Sequence, residues 1–239
     1  MVNPWTVNRF HGETIEFGSV PRRPFWSNEI GFDRQGGMKI PSKQQCFGLL
    51  FKMDSLEHIV AHSIQVCRVA LLLQENLTHA GIELNRELIR ASALLHDITK
   101  TRSLGTGEFH SQTGADLLAG MGYSEVGEIV RQHVRLDRYG NHDGVSEAAI
   151  INYADKRVLH DRIVSLETRM EYIFERYGQR PDLLGRLNQL WKKTLRLEEQ
   201  IFAPLPFRPD TVESRIVPAD CETEMRDYYR LTDHREESP

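Results

Sequence analysis

Along the chain, the spacing of apolar side chains changes twice. Residues 1–41 set Trp5, Phe10, Phe17, Phe25, Trp26 and Phe32 among prolines and glycines without a helical period. That punctuation predicts an extended or partly stranded arm. From Ser42 to Phe202, apolar residues recur three and four apart, the mark of amphipathic helices around a shared core. A short helix is expected over 42–51, then a long one capped by Asp54. The long helix carries Ile59, His62, Val66, Val69 and Leu73 on one face and ends near Gly81. Asn85 is expected to cap a third, with Ile89, Ala93 and His96 on one face. Further helices are expected over 111–120, over 124–134 with Ser124 as cap, and over 146–160. Two more follow, over 165–177 closed by Gly178 and over 181–202 opened by Pro181. No alternating strand stands out between 42 and 202. Residues 203–239, with Pro204, Pro206, Pro209 and Pro218 and nine acidic residues against five arginines, predict a loosely packed tail.

The expectation is therefore an all-α bundle over 42–202 between an irregular N-terminal arm, 1–41, and an acidic, proline-containing C-terminal tail, 203–239. The arm is too rich in aromatic residues for a disordered tail. It is expected to pack on the domain or on a second subunit, which leaves a homodimer open.

Composition narrows the function. With 239 residues, of which 40% are hydrophobic, the chain can bury a sizeable core. No run approaches the roughly 18 apolar residues a membrane span needs, and the first residues lack a basic-then-apolar leader. A cytoplasmic protein with no membrane partner is the reading. Thirty basic against 34 acidic side chains give a net charge of −4, which offers no field to hold bulk nucleic acid. The three cysteines, Cys46, Cys67 and Cys221, are far apart, so neither a disulfide framework nor a thiolate zinc site is expected.

Any metal must then be held by His and Asp. Placing these residues on the helices gives an ordered set: His62, His96 with Asp97, His110, His133 and Asp155. Taken singly, a histidine on an apolar face is more often a core residue bonded to a carbonyl than a ligand. Burying four imidazoles and two carboxylates in one helical core, however, costs several kcal/mol unless a cation compensates them. Six ligands exceed what one open catalytic ion takes, whereas two ions bridged by Asp97 would use them. Imidazole with carboxylate suits Fe, Mn, Co, Ni, Zn or Mg, one or two ions of which are expected.

The strings EHIVAHSIQVCRVA, ALLHDITK, FHSQTGADLL, IVRQHV and NYADKR, in this order, resemble the HDIG-type pattern of the HD-domain superfamily of metal-dependent phosphohydrolases. The resemblance covers about 55–166. Thr99 stands where the pattern has Gly, which leaves every ligand in place. The resemblance implies that His62, His96, Asp97 and Asp155 bind a first metal. His110 and His133 match the extra histidines of two-metal members. It further implies hydrolysis of a phosphate ester or anhydride, of a nucleotide-type small molecule, by a metal-bound hydroxide. Asp97 and Lys100 would be catalytic, with Lys100 on substrate phosphate and Arg131, Lys156 and Arg157 as further phosphate-binding candidates. Their bland alternative is a solvated helix face. The His110, Gly114-Ala115, His133, Ala154-Asp155 spacing is closer to small two-metal hydrolases of diadenosine tetraphosphate than to cyclic-dinucleotide phosphodiesterases. A di-iron oxygenase on the same ligands and a non-catalytic nucleotide-sensing module are the competing readings. Gly105 and Gly107 suggest a movable loop at 101–109, or an ordinary glycine turn. Asp161, Arg162 and Glu167 are expected to form ion pairs that hold the last helices. His142 and His160 are within reach of the pocket.

Overall fold

The structure is a computed structural model that describes residues 38–139, 144–178 and 181–233. The arm up to residue 37 and His142 lie outside the described residues. Helices dominate, with one two-stranded hairpin among the described residues. None of these helices is long and apolar enough to cross a membrane.

The long helix α2 (Glu57–His79) is the axis of the domain. Its expected face is buried, but so are Val60, Ile64, Cys67 and Ala70 on the other sides, because neighbours surround it. These are α3 (Arg86–Leu95), α7 (Glu147–Lys156) and α10 (Pro218–Asp233), with α1 (Lys43–Lys52) packed on α3 and α10. Ser42 caps α1 with a reciprocal capping box through Gln45, and Asn85 caps α3 by accepting from the Leu88 amide. Asp54 does not cap α2. It takes a left-handed conformation (φ 49°) in the preceding turn, and Leu56 opens the helix with its amide donating to Thr101 Oγ1.

Two further helices form a tight pair, α5 (His110–Gly120) and α6 (Ser124–Gln132). A Cβ on Gly127 would meet the Ala115 carbonyl oxygen at 2.8 Å, and one on Gly114 would meet Val130, Ile98 and Thr99 at 3.3–3.4 Å. Small residues at these crossings let the backbones approach closely. Ser124 is the first helical residue of α6 rather than its cap; Tyr123 takes that place without a side-chain bond.

Three stretches differ from expectation. Residues 100–106 form about two helical turns, α4 (Lys100–Thr106), closed by Gly107 at φ 73°, where a movable loop or a glycine turn was expected. The helix expected over 146–160 stops at Lys156, because Val158–Leu159 (β1) and Arg162–Ile163 (β2) pair as an antiparallel hairpin. β-Branched residues there suit a strand better than a helix end. The tail is packed as far as Thr232. Tyr228 of α10 meets Phe47 edge-on at 5.7 Å, Val212 is fully buried, and Phe207 meets Phe202 edge-on. Prolines govern only its first part, whereas Cys221, Met225, Tyr228 and Thr232 repeat at helical spacing and give α10 an inward stripe. The remaining helices, α8 (Leu166–Tyr177, capped by Ser165) and α9 (Pro181–Phe202), run as expected.

Candidate metal centre

His96 and His133 reach one point by the same local device. Each ends a helix, α3 or α6, and each turns its ring back to bond the carbonyl three residues earlier: Nδ1 to Ala93 O and Nδ1 to Val130 O, both at 2.7 Å. Those carbonyls are among the groups a helix end leaves without a partner. His62, in the second turn of α2, is held likewise, with Nδ1 2.7 Å from the carbonyl of His160 in the hairpin turn. A carbonyl cannot donate, so Nδ1 carries the hydrogen in all three rings and Nε2 presents a lone pair.

The three lone pairs converge on carboxylates. His62 Nε2 lies 3.1 Å from Asp155 Oδ1, and His96 Nε2 lies 3.5 Å from Asp97 Oδ2 and 3.7 Å from Asp155 Oδ1. His133 Nε2 is 3.5 Å from Asp97 Oδ1. His110, at the start of α5, completes the cluster with Nε2 3.1 Å from His133 Nε2 and 3.2 Å from Asp97 Oδ1. The structure thus brings together all six residues singled out in the sequence. Two overlapping triads, His62–His96–Asp155 and His96–Asp97–His133, are compact enough to share an ion.

Nε2 of His96 is buried and has no hydrogen-bond partner. An acceptor nitrogen facing two carboxylates is unfavourable unless a cation lies between them. Imidazole nitrogens with carboxylate oxygens form a donor set for a borderline divalent ion. The residues present therefore fit a divalent metal.

Protonation states agree with that. Burial pushes the His96 pKa down to about 4, despite the nearby carboxylates, so the ring is neutral at pH 7. Burial likewise lowers that of His110. For Asp97 burial acts in the opposite sense, but Lys100, His96 and the hydrogen bond from His110 outweigh it and hold the carboxyl well below its ordinary range. Asp155 is held low in the same way, chiefly by His62 and His96 against its burial. Neutral imidazoles and ionised carboxylates are the forms that bind metals.

Lys100 stands at the edge of the cluster, its Nζ 3.1 Å from Asp97 Oδ2 and its side chain 38% exposed. Burial works against its charge, yet Asp97 and Asp155 raise its pKa above the ordinary value. The other three cations expected at phosphate are engaged elsewhere. Arg131 pairs with Glu128 and Asp137 on the surface. Lys156 is buried, its Nζ bonding the carbonyls of His133 and Asn152 and Asn152 Oδ1, and burial lowers its pKa to about 8. Arg157 is also buried and ties Val164 O, Tyr153 Oη and Pro209 O together. Lys156 and Arg157 are thus neither solvated nor turned to a ligand. Asp161, Arg162 and Glu167 form no ion pair among the described residues; the Asp161 carbonyl instead accepts from Gln65.

Sequence reasoning missed the groups that orient the ligands. Asn152, fully buried, donates to the carbonyls of Gln132 and His133, so that α7 holds the end of α6 beside Asp155. Thr99, the departure from the HDIG-type pattern, donates to His110 O at 2.8 Å and bonds Thr113 Oγ1 at 2.9 Å. His160 acts through its carbonyl, set by a left-handed φ of 55°, while its ring packs on Tyr172. A hydroxyl or amide three or four residues from a ligand was the only signal for these in the sequence.

Comparison with known proteins agrees with this geometry. The HD domain family matches residues 59–165, so this stretch of the chain carries an HD domain. Among curated proteins, it is 34% identical over 96 residues to the tRNA (cytidine(56)-2'-O)-methyltransferase of Thermoplasma volcanium, covering 40% of this chain and 26% of that one. It is 33% identical over 79 residues to an uncharacterized protein of Methanocaldococcus jannaschii, covering 33% of this chain and 46% of that one. The chain thus spans from a quarter to just under half the length of these relatives. No solved structure matches.

Proposed function

We propose that this chain is a divalent-metal-dependent phosphohydrolase that cleaves a phosphate ester or anhydride of a nucleotide-type small molecule. The observation that carries the reading is the convergence of lone-pair nitrogens and ionised carboxylates around the partnerless Nε2 of His96, with the half-exposed Lys100 beside it. His62, His96, Asp97 and Asp155 would hold one ion, and His110 and His133 a second shared through Asp97. Such ions lower the pKa of bound water toward 7 and polarise phosphoryl oxygens.

The chain's own groups do the rest. The backbone carbonyls of Ala93, Val130 and His160 keep three imidazoles in the metal-binding tautomer. Buried Asp97, 3% exposed, brings negative charge between the two halves, while Asp155 and His62, at 17% and 12%, lie toward solvent. Lys100, more exposed still, places its ammonium where a substrate phosphoryl oxygen would arrive. The methyl transfer named for the Thermoplasma relative does not enter this reading, which rests on the HD domain.

The test is elemental analysis of the purified protein, followed by a phosphate-release panel of nucleotides and sugar phosphates with and without chelator. Bound divalent metal and chelator-sensitive release are expected. Metal-free protein, release that ignores the chelator, or a product that forms only with dioxygen would overturn the proposal.

A further inference from the structure

Arg169, on α8, is a charged group whose donors find no acceptor among the described residues. It forms no hydrogen bond and no ion pair among the described residues, and its Nε is buried without a partner. A guanidinium stays charged at any ordinary pH and presents five donors in a rigid fork. Leaving one half-buried and unpaired is unfavourable unless an anion arrives.

Its surroundings lead back to the metal centre. The guanidinium lies over the ring of Tyr172 at 5.8 Å, and the His160 ring meets the same tyrosine edge-on at 5.6 Å. His160 in turn holds His62 through its carbonyl. Arg169 is also close enough to Lys100 and Lys156 for its charge to work against both. Lys100, beside Asp97, and Lys156, next to Asp155 in the chain, thus both feel the charge of Arg169. Arg176 makes the contrast: it shares Tyr172 but is exposed and bonds the tyrosine hydroxyl at 2.8 Å.

We propose that Arg169 is the second cation of the substrate-binding mouth, taking non-bridging oxygens of the substrate phosphoryl group in concert with Lys100. The proposal rests on the phosphohydrolase reading. It also replaces Arg131, Lys156 and Arg157, whose side chains are occupied, with a residue whose donors are free. A paired guanidinium fork and ammonium match one tetrahedral phosphoryl group.

The experiment titrates inorganic phosphate into the metal-loaded full chain by calorimetry, for the wild type and for Arg169→Gln, Arg169→Lys and Arg176→Gln. Metal content and melting temperature are recorded for each. Arg169→Gln should weaken phosphate binding about ten- to a hundredfold, the scale of losing charged hydrogen bonds, with metal content unchanged. Arg169→Lys should recover part of the loss and Arg176→Gln should show none. In a protein labelled with 15N at arginine, added phosphate should shift the Arg169 Nε resonance, which a purely structural role would not produce.

Phosphate bound equally well by wild type and Arg169→Gln, or not bound by the wild type, overturns the proposal. Should Arg169→Gln fail to fold, Arg169→Lys and the Nε resonance decide. The two readings fail separately. Arg169-dependent phosphate binding without any hydrolysis removes the enzyme and keeps the anion site. Hydrolysis with a KM indifferent to Arg169→Gln removes the anion site alone.

Discussion

His62, His96 and His133 differ from His110 in how they are held, although all four rings end at the same cluster. In the first three, Nδ1 is bound by a backbone carbonyl at 2.7 Å, so each ring is fixed in direction and tautomer before any ion arrives. His110 is held through its backbone instead, by the hydroxyl of Thr99, and no described residue bonds its Nδ1. Its Nε2 faces the Nε2 lone pair of His133, so here the hydrogen sits on the nitrogen turned toward the cluster. Three ligands are preorganised, and the fourth must move a proton before it can bind. Preorganised groups lose less freedom on binding and so contribute more affinity.

The largest effect should come from the residue both sides share. Asp97→Ala should remove bound metal and reduce phosphate release to background, as measured by elemental analysis and a phosphate assay. Full metal content in that variant would mean the two sides are independent. Next, His62→Ala should weaken metal binding more than His110→Ala, by about tenfold or more, the scale on which groups that orient ligands act. Competition with a metal-responsive dye checks this, and equal losses would abolish the distinction.

Lys100→Ala should keep the metal and raise the KM for phosphate substrates about tenfold, as expected for loss of a charged hydrogen bond. The metal-free protein should lose stability as pH falls from about 6.5 to about 4. Folded His96 stays neutral down to about 4 while the unfolded imidazole takes up its proton near 6.5. The unfolded state then binds the extra proton, which costs up to about 1.4 kcal/mol per pH unit in that window. Above 6.5 the full stability is present; thermal melts across the pH range should follow this course. The smallest effect is that of Thr99→Val. Loss of the hydrogen bonds to His110 O and Thr113 Oγ1 should cost about 1–2 kcal/mol, read as a lower melting temperature, and any change in metal affinity should fall on the His110 side.

Much of this was legible in the sequence because helices announce themselves by period. The apolar stripe of α2 and the cap Asn85 depend on neighbours within four residues, and the structure keeps them. The six ligand candidates were legible for a related reason: burying such groups together without a cation is too costly to occur idly. Local reading failed where distant partners decide. Prolines and acidic residues suggested a loose tail, but α10 finds Phe47 and α1 across the fold. The helix expected to 160 ends at Lys156 because residues 158–163 pair as strands.

By itself, then, the chain determined its helical body and which imidazoles and carboxylates would be inward, since periodicity and burial are properties of short segments. Only the tertiary structure decided which cations are free to meet a ligand. Arg131, Lys156 and Arg157 looked available in the sequence, yet each is taken by partners as near as residue 128 or as distant as residue 209. Arg169, inconspicuous in the sequence, finds no hydrogen-bond or ion-pair partner among the described residues. A charge becomes available or spent through contacts between segments far apart in the chain, and no local pattern records those contacts.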